Sequence, residues 1–236
     1  MWENLKPLDL SKIEIVPFPD DQYFHEIYSK TQICIHHTIS GDGVDGDIST
    51  WEDDPSLVGT CIIIDRAGTP WQLFSSKYWA YHLGAGNHVL DRHSIGVELD
   101  NWGWLIPGDG TVKQFGKKKN GQPKMVQTEL GRYYTYYGYP EAVPLQHYPN
   151  KFRGYEYYEK YSDSQLKTVG ELILFWHNKY GIPLDYHEDM WDVSPKALDG
   201  TSGIWTHCSY RPASDKTDCH PQPELIELLK ALKYIK

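Results

Sequence analysis

Residues 206–221 constrain the fold more than any other stretch of this chain, because they combine many reactive side chains with breaks in regular structure. These sixteen residues hold two histidines, two cysteines, two aspartates, a lysine and an arginine. Pro212 and Pro221 exclude a continuous helix, since proline removes a backbone donor and clashes with the preceding turn. Burying so many polar groups without partners would be costly. We therefore predict a loop that either faces solvent or binds a metal together with residues from elsewhere in the chain.

The composition excludes some classes of protein before any motif is considered. The 236 residues contain no repeat and no low-complexity linker, so we predict a single domain over residues 1–236. A net charge of −9 and the lack of a basic stripe argue against a nucleic-acid partner. No stretch approaches the ~18 apolar residues of a membrane span, so we expect no transmembrane segment. The four cysteines are widely spaced and are expected to be reduced thiols.

Hydrophobic periodicity predicts strands and helices interspersed along the chain. Short β-branched runs predict strands at residues 32–36, 61–64, 71–74 and 94–99. Helices are predicted at residues 48–55, from a capping box at Ser162 to Gly181, and from Pro223 onward. This order indicates an α/β fold, a single domain with a central mixed β-sheet flanked by helices.

Two segments fall outside this pattern. Residues 1–30 are predicted to form an irregular N-terminal arm. Residues 101–160 are rich in glycine, proline and tyrosine, and we interpret them as a long insertion over one edge of the domain, a kind of segment that is usually functional or disordered. Two alternatives remain open for its tyrosines, which either wall a groove and stack on sugar or pack the insertion onto the domain: Tyr133, Tyr134, Tyr136 and Tyr137.

Two of the predicted strands each carry one reactive side chain on a polar face. Period-two alternation places His36 and His37 on opposite faces of the first strand. In strand 94–99, Glu98 shares its face with Gly96, which leaves open space beside the carboxylate. A buried carboxylate is costly unless it has a partner or a task. Zinc sites in enzymes take three ligands from His, Cys and carboxylate and keep a fourth position for water, so these residues and the loop at 206–221 could form one site.

Four segments, in order along the chain, carry a resemblance to a known family: Ile35-His36-His37-Thr38, Trp79-Ala80-Tyr81-His82-Leu83-Gly84, Ser94-Ile95-Gly96-Val97-Glu98-Leu99, and Thr206-His207 followed by Lys216-Thr217-Asp218. They span about residues 31–221. Together they resemble the zinc-dependent N-acetylmuramoyl-L-alanine amidases, a superfamily that includes phage lysozymes, bacterial amidases and animal peptidoglycan-recognition proteins. The four segments in this order are a far more specific signal than any one of them.

The resemblance implies a site, a fold and a reaction. It implies zinc held by His36, His207 and Asp218, with Glu98 as the catalytic glutamate and Lys216 as the catalytic lysine. The implied fold is that of the amidases. The implied reaction is hydrolysis of the amide between N-acetylmuramic acid and the L-alanine of peptidoglycan, so the expected partner is peptidoglycan or a soluble muropeptide and the expected cofactor is zinc.

Departures from the family pattern leave alternatives open. Cys219 follows Asp218 directly and is a softer zinc ligand. His37 could replace His36 if the strand register were shifted by one residue. Thr60-Cys61 stands where many members carry a Tyr-His or Ala-His pair, so any role of that tyrosine is absent or supplied elsewhere.

The expectations about substrate binding and location are less specific. His82 and Asn87, in or next to a glycine-rich loop, are predicted to line the substrate groove, and the alternative is a loop that only supports the site.

The alternative functions are a non-catalytic peptidoglycan-binding module and a structural zinc domain with Cys208 or Cys219 as a further ligand. We expect a monomer. No signal peptide is visible, which fits a phage endolysin released by a separate membrane pore or a secreted protein whose signal peptide has been removed.

Overall fold

The structure is a computed structural model that describes residues 2–41, 43–117 and 122–235. Its strands, in chain order, are β1 (Glu14–Ile15), β2 (Gln32–His37), β3 (Ile62–Ile64), β4 (Pro70–Gln72), β5 (Ser94–Leu99), β6 (Trp104–Pro107), β7 (Val112–Lys117), β8 (Pro123–Gln127), β9 (Tyr133–Tyr134), β10 (Pro140–Glu141), β11 (Leu145–Phe152), β12 (Tyr155–Glu159) and β13 (Gly203–Thr206). Its α-helices are α1 (Asp45–Glu52), α2 (His88–His93), α3 (Asp163–Tyr180), α4 (Pro195–Leu198) and α5 (Pro223–Leu232).

A mixed six-stranded sheet forms the centre of the domain, in the order β1-β4-β3-β5-β2-β13. Strand β2 lies parallel to β5 on one side and to β13 on the other, whereas β3 and β4 pair antiparallel. Every residue of β2 and β5 is buried, as expected for central parallel strands covered on both faces. The predicted α/β domain with a mixed central sheet is confirmed.

Helix α3 is the longest helix and begins and ends where the sequence predicts. The Ser162 side chain accepts a hydrogen bond from the Gln165 backbone, the Gln165 side chain accepts one from the Ser162 backbone, and Gly181 adopts the left-handed conformation at the C-cap. Helix α5 packs closely on α3 at Gly170, where a Cβ atom would lie 2.9 Å from a methyl group of Leu228. The absence of a side chain therefore permits this close approach.

The N-terminal arm packs on the same side of α3. Trp2, Leu5 and Leu8 are buried in the core, and the Leu8 N–H donates to the Glu171 carbonyl at 2.9 Å. Strand β1 then joins the sheet edge beside β4. The arm is thus held to the domain by both apolar contacts and backbone hydrogen bonds.

Residues 104–159, within the predicted insertion, form two smaller sheets that the sequence analysis did not predict. One is five-stranded, in the order β10-β9-β6-β12-β11, and the other is the two-stranded β7–β8 ribbon. Residues 118–121 of the predicted insertion lie outside the described residues. An ion-pair cluster joins this segment to the central sheet. The Arg66 guanidinium lies 2.7 Å from Asp100 Oδ2 and 2.8 Å from Glu159 Oε1.

Two predicted boundaries are wrong by a few residues. Helix α1 was predicted at residues 48–55 but covers Asp45–Glu52, and it ends before Pro55, since the residue before a proline disfavours helical backbone. The strand predicted at 71–74 is β4, Pro70–Gln72. None of the helices in the described part of the chain combines the length and apolar character that a membrane crossing requires.

Candidate active site

The carboxyl ends of β5, β2 and β13 bring the reactive side chains together. His36 on β2 is paired in register with Glu98 on β5, and His207 directly follows the last residue of β13. Because neighbouring parallel strands end at the same edge of a sheet, side chains at these ends meet in one place. The loop after His207 then returns to the same edge and contributes Asp218.

Three ligand-type atoms converge at this edge. His36 Nδ1 and His207 Nδ1 lie 2.9 Å apart, His207 Nδ1 and Asp218 Oδ2 also lie 2.9 Å apart, and His36 Nδ1 lies 3.4 Å from Asp218 Oδ2. All three side chains are buried. Ligands of one tetrahedral zinc ion, at ~2.0–2.2 Å from the metal, are about 3.3 Å from one another. The three atoms therefore have a spacing close to that of ligands around one zinc ion.

Outer hydrogen bonds orient both histidines toward that point. His207 Nε2 lies 3.1 Å from the Leu83 carbonyl, which can only accept, so Nε2 donates this hydrogen bond and Nδ1 faces the other two ligand-type atoms. His36 Nε2 lies 3.0 Å from His82 Nδ1. Burial, reinforced by His207, lowers the pKa of His36 to about 4 and keeps the ring neutral at pH 7. Such outer partners are typical of histidines that bind a metal.

The same geometry favours Asp218 over Cys219. Burial opposes ionisation of Asp218, but His207 and His36 hold the pKa of its carboxyl well below the usual range. Cys219 is fully buried, and burial raises the pKa of its thiol, which disfavours the thiolate that binds metal. His37 points to the other side of the strand, where its Nδ1 lies 2.8 Å from the Tyr161 hydroxyl.

A second group of ligand-type atoms, Cys34, His36 and His82, also lies within 4.8 Å. It shares His36 with the first group. Cys34 has no exposed surface, and burial together with Asp218 raises the pKa of its thiol well above the ordinary value. A neutral thiol without access to the cavity is a poor metal ligand, so the group that contains Asp218 fits a metal ion better.

Glu98 and Lys216 both line a cavity of about 550 Å³ beside these atoms. Burial raises the pKa of Glu98 well above its ordinary value, and the charges of Asp218 and Asp47 add to this effect while Lys216 opposes it. Glu98 Oε2 is buried and has no hydrogen-bond partner within the described residues. A carboxyl group with a raised pKa in a cavity is typical of a residue that transfers protons.

The two predicted substrate-binding residues have different positions. His82 lines the cavity, and its backbone N–H donates to Asp91 Oδ1 at 2.9 Å. Asn87 is exposed and caps α2, where its Oδ1 accepts from the Val89 N–H at 3.1 Å. Asn87 is not among the described residues that line the cavity, so the structure does not bring it to the groove. Its position matches the alternative of a capped supporting loop.

Several residues around the cavity were missed by the sequence analysis: Asp47, Trp51, Trp102 and Tyr139. Thr60, which the sequence analysis named only as a departure from the family pattern, also lines the cavity. Of the four predicted tyrosines, Tyr137 lines the cavity and Tyr134 is buried in the insertion. A signal for Trp102 was available, since it follows the end of the strand that carries Glu98. Nothing in the sequence pattern distinguishes Tyr139 from its neighbours.

Comparisons with known proteins show the same fold. The chain resembles the solution structure of the PlyG catalytic domain, at 13% identity over 94% of this chain and 93% of that one, with a TM-score of 0.50. It also resembles the Staphylococcus aureus hydrolase AmiA in complex with its ligand, at 14% identity over 98% and 85%, with a TM-score of 0.50. At these identities the likeness concerns the fold. No curated protein sequence matches significantly.

The comparison with family models is more specific. The sequence model of the N-acetylmuramoyl-L-alanine amidase family matches residues 28–223, which include every element of the central sheet except β1 and all of the converging side chains. The chain therefore belongs to the N-acetylmuramoyl-L-alanine amidase family and is an amidase that acts on peptidoglycan.

Proposed function

We propose that the chain is a zinc-dependent hydrolase that cleaves the amide between the lactyl group of N-acetylmuramic acid and the L-alanine of the stem peptide. The observation that carries the zinc dependence is the convergence of His36 Nδ1, His207 Nδ1 and Asp218 Oδ2 at the cavity that Glu98 lines. These three residues would hold the metal. Zinc bound there supplies a Lewis acid, which polarises a carbonyl and lowers the pKa of water from ~15.7 toward ~7.

Glu98 is the proposed proton carrier. Its carboxylate takes a proton from the attacking water and then donates it to the nitrogen of the departing L-alanine. The desolvation that raises the pKa of Glu98 favours this role, because a carboxylate with a raised pKa is a stronger base than an ordinary one and takes up a proton from water more readily. General acid–base catalysis of this kind typically contributes ~10² to 10⁴ in rate.

Lys216 is proposed to stabilise the negative charge that develops on the carbonyl oxygen. Its side chain is half-buried at the cavity, next to the ligand Asp218 in the same loop. The loop is held by Arg153, whose guanidinium donates to the Lys216 carbonyl at 2.8 Å. Removing one donor of this type commonly lowers the rate by ~10² to 10³.

Release of new N-terminal L-alanine from peptidoglycan, with and without a zinc chelator, tests the proposal. We expect release that the chelator abolishes and no new reducing sugar ends. Glu98→Gln is expected to keep zinc and lose at least about 100-fold in turnover. Glu227→Gln, an exposed carboxylate on α5, is the matched control and is expected to retain full activity.

Two results would contradict the proposal. Full activity of the metal-free protein would exclude zinc dependence. Bound zinc and sedimentation with peptidoglycan, without any release of L-alanine, would indicate a non-catalytic binding module. The first residue to test would then be Thr60, which lines the cavity at the position where this chain departs from the family's Tyr-His or Ala-His pair.

The place of action proposed here is the cell wall, because the substrate lies there. Release through a separate membrane pore, as for a phage endolysin, and secretion with removal of a signal peptide are the two routes that we keep as predictions. Fractionation of producing cells separates them, since a secreted enzyme leaves the cytoplasm while the cells are intact.

A further inference from the structure

Three aromatic side chains from or next to the insertion line the cavity: Trp102, Tyr137 and Tyr139. We call them the aromatic wall. Tyr137 is 44% exposed and Tyr139 is 52% exposed, although both lie beside the buried core of the site. Single exposed aromatics are common on protein surfaces, but several that line one cavity indicate a surface for a ligand.

The aromatic wall is held in place by the β7–β8 ribbon. Lys124 Nζ donates to the Tyr137 carbonyl at 2.7 Å and lies 3.9 Å from the centroid of the Tyr139 ring. Gly138, at a φ of 71°, lies between these tyrosines, and a Cβ atom there would be 2.9 Å from Phe115 and Val126. The loop is therefore pressed onto the ribbon, and the ribbon positions the two rings.

Trp102 is positioned independently by the ion-pair cluster. Its backbone N–H donates to Glu159 Oε2 at 2.5 Å, and Glu159 is bound by Arg66. The Trp102 and Tyr137 rings meet edge to face with centroids 6.3 Å apart. Two separate anchors thus fix adjacent rings of one wall, so a ligand meets a preformed surface and little ordering is required on binding.

The other lining groups have a different chemistry. Helix α1 and the loop after β2 contribute Ser40, Asp47 and Thr50. The Ser40 and Thr50 hydroxyls donate to Asp47 Oδ2 and to the Gly46 carbonyl, so their oxygens are left to accept from peptide N–H groups. The substrate of the proposed reaction has matching halves, a sugar joined through the lactyl ether and a polar stem peptide. The C–H face of a pyranose is apolar and slightly positive, which complements the negative face of an aromatic ring.

We propose that the aromatic wall is the subsite for the sugar ring on the muramic side of the scissile amide. The inference rests on the proposed function, because it assigns one half of that substrate to one part of the cavity. Tyr137 and Tyr139 are binding residues for the sugar, and Lys124 is a positioning residue that acts through them.

Two substrates that differ only in the sugar test this assignment. One is a GlcNAc–MurNAc-tripeptide, and the other is the corresponding D-lactyl-tripeptide without sugar. Tyr137→Ala and Tyr139→Ala are each expected to lower kcat/KM about tenfold on the first substrate, the effect of one modest contact, and to leave the second nearly unchanged. Tyr234→Ala is the matched control, since Tyr234 is 75% exposed and is not among the described residues that line the cavity.

Equal losses on both substrates would overturn the proposal, because the wall would then contact the peptide. No loss on either substrate would overturn it as well. We expect the variants to melt at temperatures close to that of the unchanged protein. Tyr137→Phe, which keeps the aromatic ring, is expected to retain activity on the sugar-containing substrate.

Binding of the peptide-free disaccharide separates this inference from the proposed function. The probe is GlcNAc–MurNAc, titrated into the full chain and followed by NMR or by tryptophan fluorescence. If the protein hydrolyses neither substrate but binds the disaccharide, and Tyr139→Ala weakens this binding about tenfold, the subsite stands while the hydrolysis proposal fails. If the disaccharide does not bind, the subsite is refuted regardless of hydrolysis.

Discussion

Gly96 on β5 offers the sharpest test of how the fold supports the site. A Cβ atom at this position would lie 2.7 Å from Thr60 Cγ2 and 3.0 Å from His82 Nδ1. Carbon atoms in good contact are ~3.5–4.0 Å apart, so in Gly96→Ala the Thr60 methyl must move by about 1 Å and the His82 ring by several tenths of an ångström.

Two effects of Gly96→Ala follow, and they have different magnitudes. Overpacking of a buried strand costs about 1–3 kcal/mol of unfolding free energy. His82 Nδ1 is also the atom that contacts His36 Nε2 at 3.0 Å. Loss of an outer partner of a metal-binding histidine commonly lowers metal affinity ~10- to 100-fold, which corresponds to about 1.4–2.8 kcal/mol.

A chelator-competition titration measures the zinc affinity, and thermal melting of the metal-free protein measures the stability. Thr60→Ser removes the Cγ2 methyl and relieves only the first contact. The double variant Gly96→Ala/Thr60→Ser is therefore expected to regain much of the stability but not the zinc affinity, because the contact with His82 remains. Thr60→Ser alone is the control and is expected to bind zinc normally.

The reasoning is refuted if Gly96→Ala binds zinc as tightly as the unchanged protein. An unchanged melting temperature of Gly96→Ala would additionally show that the added methyl group fits beside the Thr60 methyl without overpacking, contrary to the 2.7 Å distance. Recovery of zinc affinity together with stability in the double variant would show that His82 acts only through overall stability.

Three further predictions concern the proposed metal ligand Asp218, the buried acid Asp47 and the helix cap Ser162. Asp218→Asn is expected to lose zinc and activity while Cys219→Ser keeps both, as measured by metal analysis; the reverse result would make Cys219 the ligand. Burial raises the pKa of Asp47 to about 7, so its contribution to stability is present below about pH 4 and lost as pH rises through 7; Asp47→Asn should flatten this part of the stability profile in urea unfolding, and an unchanged profile would contradict the shift. Ser162→Ala removes the cap of α3 and should cost about 1 kcal/mol, seen as a melting temperature lower by roughly 2–4 °C, whereas Ser162→Asp should largely keep it.

The sequence by itself determined the elements whose local pattern agrees with their final environment. Strands β2 and β5 are short β-branched runs that end up buried on both faces, and α3 carries its own start and stop signals at Ser162 and Gly181. Asn87 was predicted to line the groove, and its role as the cap of α2 emerged only with the structure, because no helix was predicted after it. The family motifs named the converging residues, but only by analogy.

The tertiary structure alone decided which side chains meet and which surfaces remain exposed. His36 and His207 are 171 positions apart, and their contact exists because β13 pairs with β2 in parallel. Tyr134 and Tyr137 differ little in local sequence, yet one is buried and the other lines the cavity. Local pattern sets the backbone conformation of a segment, whereas exposure depends on the neighbours that the whole fold places against it.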